Sequence, residues 1–253
     1  FRNEEIEGYT ADSANTIPHA WKAGAQSTLL RNQLQAMPDG GKVIISMPLV
    51  PYRCPPGPYE RASLIANYLK KHKPKSKVIL LDANADVVAK KPLFMKAWST
   101  YYKGIFEYIP GKKVTGVDVA NRTLLVEGIE EFKGDVVNFI PPQRAAAIAA
   151  KAGLVGEDKK WCPVNVTTFE STLQKNIHVI GDSAIAGAMP KSGYSANSQA
   201  KVCAINVVAL MNGKELTELS GINVCYSAIS DHESISVAGV YTVKDGKIIG
   251  VPN

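Results

Sequence analysis

Apolar residues recur at helical spacing along residues 18–37, at Trp21, Ala25, Leu29, Leu30, Leu34 and Met37. The pattern predicts a helix there, with Pro18 in its first turn. Asp39-Gly40-Gly41 ends it. Residues 43–49 then form a short apolar run, the signature of a strand buried on both faces. A second helical pattern opens at Pro58 and carries Ala62, Leu64, Ile65, Tyr68 and Leu69, and residues 77–82 are a second buried strand. Strand, helix and strand in that order predict a βαβ unit with a right-handed crossover.

The pattern shortens after residue 105. Residues 106–109, 114–119, 123–126 and 136–140 read as short strands separated by turn signals, and Pro141-Pro142 stops the last one. The alanine-rich stretch 143–152 predicts a helix, and residues 177–182 one more buried strand. A long helix is expected over 195–211, capped by Gly213. Residues 235–243 and 247–251 flank Lys244-Asp245-Gly246, an Asp-Gly hairpin signal. The fold class expected is α/β.

Composition narrows the functional classes. The chain has 253 residues, 45% apolar and 21% charged, which excludes a disordered tail. It has no run of 18 apolar residues, so no membrane-spanning helix is expected. It begins at Phe1 with no methionine and no secretory leader pattern, and the expectation is a processed or truncated product. The net charge of +6 is scattered, apart from the cluster Lys70, Lys71, His72, Lys73, Lys75 and Lys77. That cluster lies between a helix pattern and a strand pattern and reads as a solvated helix end facing the negative end of the dipole, not as a nucleic-acid site. The four cysteines, at 54, 162, 203 and 225, have no metal-knuckle or haem spacing, and the four histidines have no metal spacing. Two glycosylation sequons, Asn121-Arg122-Thr123 and Asn165-Val166-Thr167, are chance matches.

The βαβ unit resembles half of a dinucleotide-binding domain, with Asp82 where a ribose-binding acid would sit. Its connecting loop, Cys54-Pro55-Pro56-Gly57-Pro58, argues otherwise. A phosphate loop needs glycines and exposed N–H groups, and three prolines remove three donors. The unit therefore reads as a scaffold without a nucleotide. The loop offers a cysteine instead, at the carboxyl edge of a strand and ahead of a helix N-terminus that favours a thiolate. Glu60 follows on the first helical turn, placed to accept a proton. Taken from the residues alone, Cys54 could equally be an inert core cysteine. Cys203 shares a helix face with Ala196, Ala200, Val207 and Met211 and is expected in a core, while Cys162 is read as structural or at the surface.

Farther on, a strand ending in Gly181-Asp182, a small-residue loop and a helix N-terminus form an arrangement suited to a flavin. The Asp carboxylate can accept a ribityl hydroxyl, and the helix dipole faces the electron-rich pyrimidine end.

Four strings then carry a resemblance. They are Pro51-Tyr52-Arg53-Cys54-Pro55-Pro56-Gly57-Pro58-Tyr59-Glu60-Arg61-Ala62, Val179-Ile180-Gly181-Asp182, Met189-Pro190-Lys191-Ser192-Gly193-Tyr194-Ser195-Ala196-Asn197 and Asn223-Val224-Cys225-Tyr226-Ser227. Together they resemble the flavoprotein subunit of flavocytochrome c sulfide dehydrogenase, a relative of sulfide:quinone oxidoreductase among the flavoproteins with two dinucleotide domains. The resemblance covers essentially the whole chain. It implies Rossmann-like βαβ units with short antiparallel strands and part of a C-terminal α+β interface domain. It also implies a fragment without the N-terminal ADP-binding loop and the C-terminal end. The segments expected are 1–33, a remnant of the FAD domain and linker helix; 34–138, an NADH-domain-like region; 139–215, a second FAD-domain segment; and 216–253, a truncated interface domain.

By resemblance, Cys54 and Cys225 are a redox-active disulfide beside FAD, and Glu60 is the base. The cofactor-binding positions would be Pro141, Pro142, Gly181, Asp182, Pro190, Lys191, Ser192 and Gly193, with no metal. Hydrosulfide is the implied substrate, a c-type cytochrome subunit carrying the haem the implied partner, and the periplasm the implied compartment. Two alternatives stay open: a sulfide:quinone oxidoreductase, and a flavin-free degenerate binding module.

Overall fold

The computed structural model describes residues 1–252. It divides into two compact units. The first comprises Phe1–Val50, Pro56–Pro142 and Ser227–Ile235; the second comprises Pro51–Pro55, Gln143–Tyr226 and residues 236–252.

Unit 1 runs through α1 (Ala25–Ala36), β1 (Lys42–Met47), α2 (Gly57–His72), β2 (Lys77–Asp82), α3 (Lys91–Tyr101), β3 (Phe106–Ile109), β4 (Val114–Asp118), β5 (Thr123–Val126), β6 (Glu130–Lys133) and β7 (Val136–Phe139). A parallel sheet of order β3-β2-β1-β7 carries the βαβ unit that the apolar runs predict, in a register of Val43↔Val78 and Val43↔Val136. Val43, Ile44 and Ile45 on the central strand are fully buried, as a strand covered on both faces requires. Pro58 opens α2, whose Tyr59, Ala62, Ile65, Ala66 and Leu69 are buried at helical spacing. Full burial of each larger side chain among them contributes about 1.5–3 kcal/mol. β4, β5 and β6 form a separate antiparallel sheet, with β5 paired to both neighbours.

Unit 2 contains α4 (Ala147–Lys151), α5 (Gly193–Met211) and the sheet β10-β9-β8, built from β8 (Ser220–Ala228), β9 (Ser234–Lys244) and β10 (Lys247–Gly250). Its core gathers Val164, Phe169, Ala184, Met189, Val202, Cys203, Leu219 and Ile248. Asp245 and Gly246 both have positive φ, the geometry of a two-residue hairpin turn, so the Asp-Gly signal is borne out. Gly187 has φ +55° and lies so close to the Ile248 carbonyl that a Cβ would fall 2.5 Å from its oxygen. Only glycine fits there.

Several expectations need correction. The first helix begins at Ala25, not Pro18. Ala20 and Gly24 have positive φ, and the carbonyls of Pro18, His19 and Ala20 are taken by the Asn138 amide and the Arg61 guanidinium instead of by a helical ladder. The basic cluster is not simply a solvated end. Lys73 is buried and donates to the carbonyls of Gln35 and Met37, closing the C-terminus of α1. Lys70 donates to the Tyr101 carbonyl at the end of α3, and Lys71 pairs with Asp231.

Residues 177–182 do not form a strand. A strand needs a ladder, and among the described residues this stretch pairs only through the Glu170↔His178 bridge. The helix expected over 143–152 shrinks to α4. Met211 is exposed, not part of the Cys203 face. Three elements went unread: α3, whose buried face is only Phe94, Ala97 and Trp98; β6, which buries little; and β8, whose buried positions Gly221, Asn223 and Ser227 are small or polar.

Candidate functional site

Asp82 ends β2, but it does not face outward for a ribose. Its Oδ2 accepts from the Tyr59 and Tyr108 hydroxyls at 2.8 and 2.9 Å, and its Oδ1 accepts from the backbone N–H and the side-chain amide of Asn84. Every lone-pair direction of a fully buried carboxylate is thus engaged inside unit 1, which supports the scaffold reading of the βαβ unit.

Glu60 lies in the first turn of α2, half-buried. Burial pushes its carboxyl above the ordinary range, against the lowering pull of the Ala228 backbone, the Ser227 hydroxyl and Arg61. A base with a raised pKa is suited to work near neutral pH. Pro141 and Pro142 follow β7 in the same unit, and the Pro142 carbonyl accepts from Arg2 N–H.

The remaining predicted positions come together in unit 2, around the start of α5. Ser192 is its N-cap: the hydroxyl accepts from Ser195 N–H at 3.1 Å. The residue before it holds two other segments. The Lys191 carbonyl accepts the Cys54 N–H at 2.8 Å. The Lys191 ammonium donates to the carbonyls of Asp182 and Ala184 at 2.7 and 2.9 Å and sits 3.8 Å from the centre of the Trp161 ring. Burial lowers this lysine to about 8, although Asp182 and Cys162 pull it upward.

Cys54 itself has φ +59°, a left-handed conformation that costs a non-glycine residue about 1–3 kcal/mol and persists only where its surroundings impose it. The bond to Lys191 is one such constraint. Cys54 is exposed and Cys225, on β8, is half-buried; both are thiols here. Cys162 and Cys203 are buried thiols that burial pushes up in pKa, as inert core cysteines should be.

Two contributors escaped the sequence reading. Asn223 is 1% exposed, and its Oδ1 accepts from the Ser192 hydroxyl at 2.6 Å, from Ser195 at 3.3 Å and from the Cys225 thiol at 3.4 Å. Its Nδ2 donates to the Val237 carbonyl. Gln199, buried on α5, accepts Gly181 N–H at 2.7 Å and so ties the Gly-Asp turn to the helix. The signal for Asn223 was its place two residues before Cys225, which puts both on one side of a strand.

The residues fit a flavin by one specific observation. Among the described residues, the buried Asp182 Oδ1 has no hydrogen-bond partner. A buried acceptor is costly unless a donor reaches it, and a ribityl hydroxyl is such a donor. Burial raises the Asp182 pKa, while Arg53 and Lys191 favour the carboxylate. The adjoining Gly181 has φ +71° and packs where a Cβ would lie 3.1 Å from Ala196, so glycine is needed at that turn.

Comparison with known proteins gives two matching models of one family. The model for the sulfide dehydrogenase [flavocytochrome c] flavoprotein chain, central part, matches residues 27–141. The model for the flavocytochrome c sulphide dehydrogenase flavin-binding part matches residues 218–253. Together they cover more than half of the chain. Among solved structures, a chain of the Tetrahymena thermophila mitochondrial ATP synthase superposes with a TM-score of 0.70 at 17% identity, covering 94% of this chain and 61% of that one. The sulfide:quinone oxidoreductase of Aquifex aeolicus gives 0.64 at 17% identity, with 89% and 56% covered. A chain of the putidaredoxin reductase–putidaredoxin complex gives 0.59 at 18% identity, with 91% and 52% covered. These likenesses establish the fold, and the chain spans about three-fifths or less of each of them.

Proposed function

Because this chain belongs to the flavoprotein family of flavocytochrome c sulfide dehydrogenase, we propose that it works in an FAD enzyme that oxidises sulfide through Cys54 and Cys225 and delivers electrons to a c-type cytochrome. The observation that carries this reading is the grip of adjacent residues on both cysteines. Lys191 holds the Cys54 backbone, and Ser192, through Asn223, reaches the Cys225 thiol. The same two residues begin the helix whose dipole would face a bound flavin.

In the oxidised enzyme the two cysteines form a disulfide. Hydrosulfide attacks one sulfur, and the S–S bond breaks to leave a persulfide on one cysteine and a thiolate on the other. A second hydrosulfide takes the outer sulfur as a disulfane anion, which leaves two reduced cysteines. Loss of two protons and two electrons from that pair re-forms the disulfide. When bound, FAD would supply the two-electron oxidant for this step and a one-electron donor toward the partner's haem. Glu60 receives protons in this scheme, and its raised pKa suits that role near neutrality. Asp182, Lys191 and the N-terminus of α5 would hold the flavin. The periplasm is the compartment this reading implies, where a disulfide is readily kept.

The test is anaerobic addition of sulfide to the flavin-loaded protein, first with a c-type cytochrome and then with a soluble quinone. Sulfide-dependent reduction of the haem is expected. Reduction of quinone alone would assign the chain to a quinone-linked enzyme, and a protein that carries no flavin would refute the reading altogether.

A further inference from the structure

Asn223 satisfies more groups than packing alone would ask of it. One buried amide oxygen accepts from three side chains of two segments: the N-cap hydroxyl of α5, the Ser195 hydroxyl one turn into the same helix, and the Cys225 thiol on its own strand. The other end of the amide is fixed by donation to the Val237 carbonyl on β9. An amide with both ends engaged cannot rotate without stranding a buried donor. Its oxygen is therefore a fixed point, and the Cys225 sulfur is held against it.

The second cysteine is fixed from the neighbouring residue. Ser192 anchors Asn223, and Lys191, directly before it, accepts the Cys54 N–H. The route from one cysteine to the other is then Cys54, Lys191, Ser192, Asn223, Cys225, with each non-covalent step a hydrogen bond and all five residues in unit 2.

We propose that Asn223 is a positioning residue for the redox pair: by joining the α5 N-cap to the Cys225 thiol, it sets the cysteines at the separation and orientation a disulfide needs. A disulfide tolerates little misalignment, with alpha carbons roughly 4.4–6.8 Å apart and a dihedral near a right angle, so a loosened Cys225 forms the bond less often. This inference rests on the functional reading above and deepens it.

The experiment is thiol–disulfide equilibration of the purified chain in glutathione buffers. Cys54–SH, Cys225–SH and oxidised glutathione give the Cys54–Cys225 disulfide and two reduced glutathiones, and alkylation with mass spectrometry reads the fraction oxidised. The ratio of glutathione species at half-oxidation gives the effective concentration of one thiol at the other. In Asn223→Ala it is expected to fall about tenfold, the equivalent of one lost hydrogen-bond constraint. Asn223→Asp keeps an acceptor oxygen toward Ser192, Ser195 and Cys225 but loses the donation to Val237 that fixes it, and it is expected to fall between wild type and Asn223→Ala. Equal effective concentrations in wild type and Asn223→Ala would overturn the proposal. So would Asn223→Asp as defective as Asn223→Ala, because that result would assign the residue only to joining β8 with β9. A wild-type chain that forms no Cys54–Cys225 disulfide under any buffer would overturn the functional reading itself, and the proposal with it.

Discussion

Replacing Asp82 with alanine tests whether the βαβ unit is scaffold or nucleotide site. The carboxylate is fully buried and accepts four hydrogen bonds, each between 2.8 and 2.9 Å. Bonds to a charged acceptor are worth about 1.5–3 kcal/mol each, and their loss takes a charged partner from buried donors on Tyr59 and Asn84. Water entering the vacated space and relaxation around Tyr108 recover part of this. The remaining loss is about 4 kcal/mol, a large share of the roughly 5–15 kcal/mol that holds a domain folded. Urea denaturation followed by tryptophan fluorescence is a suitable assay, since Trp98 packs 5.4 Å from Tyr108 and stacks on Phe106. With a slope of about 3 kcal/mol per molar urea, the midpoint is expected to fall by about 1.3 M. Asp82→Asn, which can keep the Asn84 pair, should lose roughly half as much. If the carboxylate is kept for a ribose instead, its removal would barely move the midpoint. A shift below about 0.2 M, or saturable NADH oxidation by the wild-type enzyme, would refute the scaffold argument.

Other groups give sharper pH signatures. Lys191 is held at about 8 in the folded chain against 10.5 for the free side chain, so between those values the unfolded chain binds more protons. Stability should therefore rise with pH across that window by a contribution that is missing from Lys191→Met, read as the difference between the two stability curves; parallel curves would contradict the burial of its charge. Glu60→Gln should lower turnover by about 10²–10⁴-fold and remove the acid limb of the kcat/KM profile. In the wild type, that limb should lie above the ordinary carboxylate range, because burial favours the protonated form. A normal profile in Glu60→Gln would remove Glu60 from the mechanism.

The parts legible in the sequence were those whose burial is apolar and local. Residues 43–47 and 77–82 announce parallel strands because both of their faces are covered, and the Asp-Gly turn announces its hairpin because the dipeptide tolerates positive φ. Residues 177–182 look equally apolar, but pairing and not hydropathy makes a strand, and a partner is a tertiary fact. The N-terminal helix was overextended because its spacing continues past Ala20 and Gly24, while the carbonyls there are claimed by Arg61 and Asn138 from distant positions. The site followed the same division. Gly181 and Asp182 stood out through loop chemistry, whereas Lys191 and Ser192 came only with the resemblance. Asn223 did not, because a polar residue on a strand looks solvent-facing until the hydroxyls that satisfy it are placed around it.

The most direct test of the central claim is sulfide-dependent cytochrome reduction by the flavin-loaded protein with either Cys54 or Cys225 replaced by serine. The hydroxyl is nearly isosteric with the thiol but cannot undergo thiol–disulfide exchange. Both variants are expected to keep the flavin spectrum of the wild type and to lose sulfide oxidation. Turnover near the wild-type rate in Cys54→Ser or in Cys225→Ser would contradict it.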